Sequence, residues 1–215
     1  MAGMPTVADL GKRREPVQQR AIQARSHILQ TARTLLEEVG LDAFNTNLLA
    51  DRADVRVRTV YRYFPNKLAV IAAIGEELVG KWTDWNLAYF EAIAQPDRDW
   101  REALSQMIGE WFSNVSNENG GWAVLQAMSV VPELRELDRA AFQRLSRTWE
   151  VTILSRVPNL EADVVALSFA IVSTFYGFID SFMRVPADCR PQFAQELEAM
   201  LVARLTPVFA AQEAG

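Results

Sequence analysis

The densest set of groups able to bond a polyanion is the run Arg56-Val57-Arg58-Thr59-Val60-Tyr61-Arg62-Tyr63-Phe64. Wound at 3.6 residues per turn, Val57, Val60 and Phe64 share one apolar face, which can pack on Leu49 and Ala53 of a preceding short helix. Arg58, Thr59, Arg62 and Tyr63 then point outward. Arginine donates two parallel hydrogen bonds to a guanine edge, and threonine offers a methyl to thymine and a hydroxyl to a base or phosphate. Tyrosine hydroxyls hold phosphate oxygens. A short helix bearing that set fits the major groove of DNA, about 12 Å wide. Lys67 adds charge at the start of the next helix, where unsatisfied backbone N–H groups already favour an anion. The competing reading is that any small helical bundle carries a charged outer face, so this run alone does not decide the matter.

Other chemistries find little to work with. The one histidine, His27, and the one cysteine, Cys189, leave no set for a zinc site, a Ser/His/Asp triad or a Cys/His pair. No phosphate-cradling glycine loop is present. The expectation is therefore no metal, no cofactor and no catalysis. His27 lies on the polar side of its helix and is read as a surface residue without a role. A rival reading is a helical-bundle carrier or enzyme for small molecules that binds no DNA and uses carboxylates such as Glu110 or Asp180. It lacks a recognisable nucleophile and base.

Charge is distributed unevenly along the 215 residues. Residues 1–67 carry 11 Lys and Arg against 7 Asp and Glu, and the remaining 148 carry 11 against 20. A basic head on an acidic body suits a molecule of which one end approaches a polyanion while the other is repelled by it. Residues 1–17 hold two prolines, two glycines and Lys12, Arg13 and Arg14 without an apolar face, and read as a flexible basic arm. Such an arm can enter an adjacent minor groove, or it can simply keep the chain in solution. There is no apolar leader at the N-terminus, and the lone cysteine cannot close an internal disulfide, so cytoplasmic residence is expected. The most apolar segment, Val164 to Met183, is interrupted by Ser168, Ser173, Gly177, Asp180 and Ser181, which argues against a membrane span.

Apolar residues recur at helical spacing nearly throughout, and strand patterns are almost absent, so the fold class is all-α. A first helix is expected over 18–39, with Ile28, Ala32, Leu35, Leu36 and Val39 as its stripe and Gly40 as a left-handed stop. Two short helices follow, 46–52 and 57–64, with Asn45 capping the first and Pro65 ending the second. Joined by Ala53 to Arg56, they make a helix-turn-helix candidate. Longer helices are expected near 67–94, 97–115, 121–130, 133–156, 160–184 and 189–211, separated by proline- or glycine-bearing breaks. This divides the chain into the arm, a DNA-binding domain over 18–67 and a helical body over 68–215.

All six tryptophans lie after residue 80, among many other large apolar groups. Such side chains line pockets for apolar or aromatic small molecules, and at helical spacing they serve as plain core just as readily. The segment 160–184 is apolar nearly all round, so it must be buried on two sides: its own core and a second subunit, or a deep monomeric core. Phe193, Leu197, Met200, Leu201, Leu205 and Val208 supply a second stripe for the same seam.

Residues 25–70 resemble the DNA-binding domain of the TetR family of transcriptional regulators. The shared features are a first helix ending in Val39-Gly40, Phe44 before a capped second helix, Leu49-Ala50 within it, Ala53 and Val55 around the turn, and Thr59-Val60-Tyr61-Arg62-Tyr63-Phe64-Pro65-Asn66-Lys67-Leu68. This is about a fifth of the chain. The resemblance implies a three-helix DNA-binding domain with a helical domain for ligand binding and dimerisation, and a repressor released from a double-stranded operator by a small apolar or aromatic effector. It places Arg56, Val57, Arg58 and Thr59 where the family reads bases, and Tyr61, Tyr63 and Lys67 where it grips phosphates. Arg62, Asn45 and Thr46 join that face, and Arg13 and Arg14 approach it from the arm. It implies effector contacts among Trp85, Met107, Trp111, Trp122, Met128, Trp149 and Tyr176, and a homodimer through the helices near 160–184 and 189–211. Its two reading helices would enter successive major grooves about 34 Å apart. Asp54 stands where the family usually has glycine, so the turn is expected to draw on aspartate's tolerance of left-handed backbone.

Overall fold

The computed structural model of the chain describes Leu10 and residues 18–117, 120–182 and 184–210. Over these residues it is helical, without strands: α1 (Gln19–Ala43), α2 (Thr46–Arg52), α3 (Val57–Tyr63), α4 (Lys67–Ala94), α5 (Trp100–Asn117), α6 (Gly121–Val130), α7 (Arg135–Arg156), α8 (Val164–Phe182) and α9 (Arg190–Ala210). Arg13 and Arg14 lie outside the described residues.

Where helix limits differ from the expected ones, local hydrogen bonds explain the shift. The side chain of Asp99 accepts from the amide of Arg101 at 2.9 Å, so α5 starts at Trp100 rather than 97. Asp163 does the same for Ala166 at 3.0 Å, which delays α8 from 160 to Val164. Pro132 opens a single 3-10 turn, and α7 follows only from Arg135 rather than 133. Gly40, with φ 71° and ψ 176°, leaves the helical region as foreseen, but one more turn follows before Phe44 ends α1. Phe64 has left the helix and caps α3 in an extended conformation.

The chain forms two compact units that are not successive stretches. One comprises residues 1–80 and 117–139, the other 81–116 and 140–215, so α4 and α7 each contribute to both. In the first unit α1 packs on α2 and α6 and buries Ile28, Leu29, Ala32, Leu35 and Leu36, and Leu49 of α2, Val60 of α3 and Val70, Ile71 and Ile74 of α4 are buried in the same unit. The N-terminus of α6 lies against α1: the amide of Gly120 donates to Glu37 at 3.2 Å, with φ 70° at the glycine. A Cβ at Gly120 would fall on the Arg33 backbone, so glycine is required there.

In the second unit the sequence conceals its most consequential polar residue. Arg156, at the end of α7, is 7% exposed, and its guanidinium closes the C-terminus of α4. It donates to the carbonyls of Ile93 at 3.0 Å, Gln95 at 2.6 Å, Pro96 at 3.3 Å and Arg98 at 3.3 Å, and lies 5.2 Å from the Phe209 ring. A cation at a helix C-terminus is favoured by the unsatisfied carbonyls gathered there. Helix α8 buries Leu167, Ile171, Val172, Phe175 and Phe182 and exposes Val165 and Phe169. By length and composition alone α8 is apolar enough to cross a membrane, and the core helix of a helical bundle passes the same test, so its composition does not overturn the reading drawn from its polar interruptions.

Candidate nucleic-acid interface

The α2–α3 pair is positioned by a closure at each end of α2. Asn45 accepts through Oδ1 from the amides of Asn47 at 3.1 Å and Leu48 at 2.9 Å, starting α2. At the other end of α2, the Val55 amide reaches back to the Ala50 carbonyl at 3.0 Å and the Asp54 amide to Asp51 at 3.2 Å. These two bonds are the Schellman closure, which requires left-handed backbone at the residue between them. Asp54 supplies it, with φ 51°, so aspartate does adopt the conformation expected in the absence of glycine. His27 is exposed as expected, yet it is not idle. Its Nε2 lies 3.0 Å from the Ala53 carbonyl and, facing an acceptor, must carry the proton, which pins the turn to α1.

With the turn fixed, α3 presents its two faces as the spacing predicts. Val60 and Phe64 are buried with Leu49 and Ala53, Val57 is half-buried, and Arg56, Arg58, Tyr61 and Arg62 are exposed with Thr59 and Tyr63 half-exposed beside them. The arginines of the surrounding frame have internal partners: Arg25 and Arg33 bridge Glu77 at 3.0 Å each, and Arg52 meets Glu38 at 2.7 Å. Arg56 and Arg58 meet no carboxylate among the described residues. Positive charge is thus satisfied around the scaffold and left available on α3.

Other members of the candidate set are drawn into contacts of their own. Tyr61 Oη and Thr46 Oγ1 are 3.0 Å apart, tying α3 to the start of α2, and Thr46 is buried. Arg62 covers the Tyr63 ring at 4.7 Å and donates to its hydroxyl at 2.6 Å. Lys67 is half-buried, with its ammonium 3.4 Å from the carbonyls of both Leu41 and Phe44, so it also links α4 to the end of α1.

The residues expected to meet an effector are divided between the two units. Trp122 and Met128 belong to the first unit, where Met128 faces Gly75, and the other five belong to the second. There Trp111 meets Trp82, Phe112 and Phe175 edge-on at 5.0–6.1 Å, Trp149 meets Phe90 at 5.1 Å, and Tyr176 meets Phe142 at 5.1 Å. Met107, Trp111 and Trp149 are buried core, while Trp85 and Tyr176 are half-buried. Sequence reasoning missed a groove of about 630 Å³ between α4 and α7, within the second unit. Its walls include Ala140, Gln143, Thr148 and Ser155, residue types that carry no pocket signal. The carboxylates named for the enzymatic alternative are engaged: Glu110 takes the hydroxyl of Tyr89, whose pKa rises to about 12 chiefly through that bond, and Asp180 pairs with Arg184 at 3.2 Å. No cluster of His, Cys, Asp and Glu able to hold a metal occurs among the described residues.

Residues 28–74 match the profile of the bacterial regulatory proteins of the tetR family, and residues 99–205 match that of the tetracyclin repressor-like C-terminal domain. The class A tetracycline repressor of transposon 1721 from Escherichia coli is 31% identical over 77 residues, covering 36% of this chain and 33% of that protein. The transcriptional repressor KstR of Mycobacterium tuberculosis is 39% identical over 56 residues, 26% of each. The chain thus spans a third or less of the length of these curated relatives. A TetR-family transcriptional regulator from Streptomyces coelicolor superposes with a TM-score of 0.60 at 25% identity, over 86% of this chain and 99% of that one.

Proposed function

We propose, because this chain belongs to the TetR family of bacterial regulatory proteins, that it is a ligand-responsive, sequence-specific DNA-binding regulator, a repressor released by a small apolar or aromatic effector. One observation carries the reading: α3 and its two flanking residues bury Val60 and Phe64 and turn outward two arginines, Arg56 and Arg58, that meet no carboxylate among the described residues. Leaving such groups idle on a helix whose entry turn is fixed makes sense when an external polyanion completes them.

In this reading residues 18–67 bind the operator. Arg56, Val57, Arg58 and Thr59 face base edges, and Tyr61, Arg62, Tyr63, Lys67, Asn45 and Thr46 address the sugar–phosphate backbone. Residues 68–215 take the effector and form the dimer. Members of the family act as dimers, and α8 and α9 supply the seam here, since Val165 and Phe169 on one and Met200 on the other remain 43–52% exposed. Ser173 and Gly177, both exposed, let a second helix approach α8 closely. Helix α4 starts at Lys67 in the DNA-binding part and continues into the second unit, so an effector that prefers one setting of α4 biases the reading helices. The coupling is reciprocal: operator DNA weakens effector binding by the factor by which effector weakens DNA binding. A regulator of this kind works in the cytoplasm, where its DNA is.

The test is selection of bound duplexes from a random pool at low salt, followed by footprinting. The reading expects a two-fold symmetric protected site. Binding of all sequences alike, or of none, would end it.

A further inference from the structure

The groove between α4 and α7 combines an exposed apolar part with a cationic rim. Its apolar part is unusually exposed: Leu87 is 55% and Val151 64% exposed, and Phe90 forms part of the lining below them. Its polar rim carries Arg144 and Arg147, one turn apart on α7, and neither guanidinium meets a carboxylate or other side-chain partner among the described residues. Glu91, on the α4 wall, is the single carboxylate of the lining, which leaves the groove with one net positive charge. Residues 68–215 as a whole carry 11 basic against 20 acidic residues, so a positive groove here is a local reversal of the surrounding field.

We infer that this groove binds an amphipathic organic monoanion, with a carboxylate-type head on Arg144 and Arg147 and an apolar body along Leu87, Phe90 and Val151. Arginine pairs are the side chains best shaped to take a carboxylate through parallel N–H bonds. A volume of about 630 Å³ lies in the range of drug-sized ligand sites. The assignment rests on the effector-binding reading above and sharpens it, from an apolar molecule to an apolar molecule with one negative charge. Thr152 adds a hydroxyl to the α7 wall, while the Thr148 hydroxyl donates to the Arg144 carbonyl at 3.1 Å and offers a ligand only its lone pairs.

Trp149 provides the reporter, because its ring lies 5.1 Å from Phe90 and tryptophan emission will respond to an occupant of the groove. The intact protein is titrated with decanoate, decanol and decylamine, and the titrations are repeated on Arg144→Gln/Arg147→Gln and on Leu87→Ser/Val151→Ser. Decanoate should bind at least 10-fold more tightly than either of the others. The arginine double variant should lose about 10- to 100-fold for decanoate and keep its affinity for decanol. The serine variant should weaken both. All four residues are half or fully exposed at the surface of the helices, and circular dichroism checks that the variants fold. Equal affinity for decanoate and decanol, no decanoate binding at millimolar concentration, or decanoate binding that survives loss of both arginines overturns the inference. The same preparations are tested against selected duplex DNA. DNA binding without anion preference sinks the groove alone, and anion preference without DNA binding sinks the regulator.

Discussion

Replacing Arg156 by Met keeps an unbranched apolar stem of similar reach against Phe209 and removes every donor from the end of α4. Two of the lost bonds are short, to Gln95 at 2.6 Å and Ile93 at 3.0 Å, and those to Pro96 and Arg98 are 3.3 Å or longer. A hydrogen bond from a charged donor contributes about 1.5–3 kcal/mol, so the two short bonds represent about 3–6 kcal/mol and the longer ones less. Water reaches some of the carbonyls once the side chain is gone, since most of these bonds are only part-buried. The expected net loss is therefore about 3–5 kcal/mol, the range for breaking a buried charged network. With a urea dependence of about 2 kcal/mol per molar, the unfolding midpoint falls by about 2 M. Lys at 156 keeps the charge but loses the fork, and should recover about half. Urea denaturation followed by tryptophan fluorescence at fixed protein concentration reads both variants. A loss under about 1 kcal/mol for Met, or Lys no better than Met, would refute the assignment of Arg156 as the clamp on α4.

The turn and the α6 junction make further demands on backbone. Asp54→Gly should leave thermal stability unchanged or raise it by up to about 1 kcal/mol, whereas Asp54→Val should cost about 2 kcal/mol, because a branched residue resists φ 51°; equal midpoints for the two would contradict the Schellman assignment. Gly120→Ala should cost more than about 2 kcal/mol, since its Cβ meets main chain at positive φ, while Gly75→Ala should cost about 1 kcal/mol because the Met128 thioether can yield. The order of the two melting midpoints decides it. Tyr89, raised from 10.0 to about 12 by its bond to Glu110, stays neutral longer in the folded chain than in the unfolded one. Its contribution to stability is thus complete below pH 10 and disappears as pH rises through 12. In an absorbance titration one of the four tyrosines should ionise near pH 12, and Tyr89→Phe should remove that step.

The N-terminal elements were legible because their signals are local. Asn45 declares a cap, Pro65 a stop, and the spacing of Val57, Val60 and Phe64 a buried face; the structure uses each in that way. Asp99 and Asp163 carry equally local cap signals, and they set the starts of α5 and α8. What sequence could not carry was any contact whose partner is main chain. Arg156 grips four carbonyls contributed by the end of α4 and the loop after it, some 60 residues away, and His27 meets the carbonyl of Ala53, so no pairing of residue types announces either one. The groove was hidden for a related reason. Large apolar and aromatic content pointed to Met107, Trp111 and Trp149, which fill the core, while the open space lies along the polar face of α7, where Arg144, Arg147 and Thr148 look like an ordinary solvated surface.

The central claim is that the outward arginines of α3 read a base sequence. It is tested most directly by the affinity of Arg58→Ala for a selected duplex and for a scrambled one at the same salt concentration, with Lys67→Ala as the comparison. The account predicts that Arg58→Ala loses about 1–3 kcal/mol on the selected duplex and little on the scrambled one, while Lys67→Ala weakens both alike and flattens the salt dependence. Equal losses on the two duplexes for Arg58→Ala, or none on either, would contradict it.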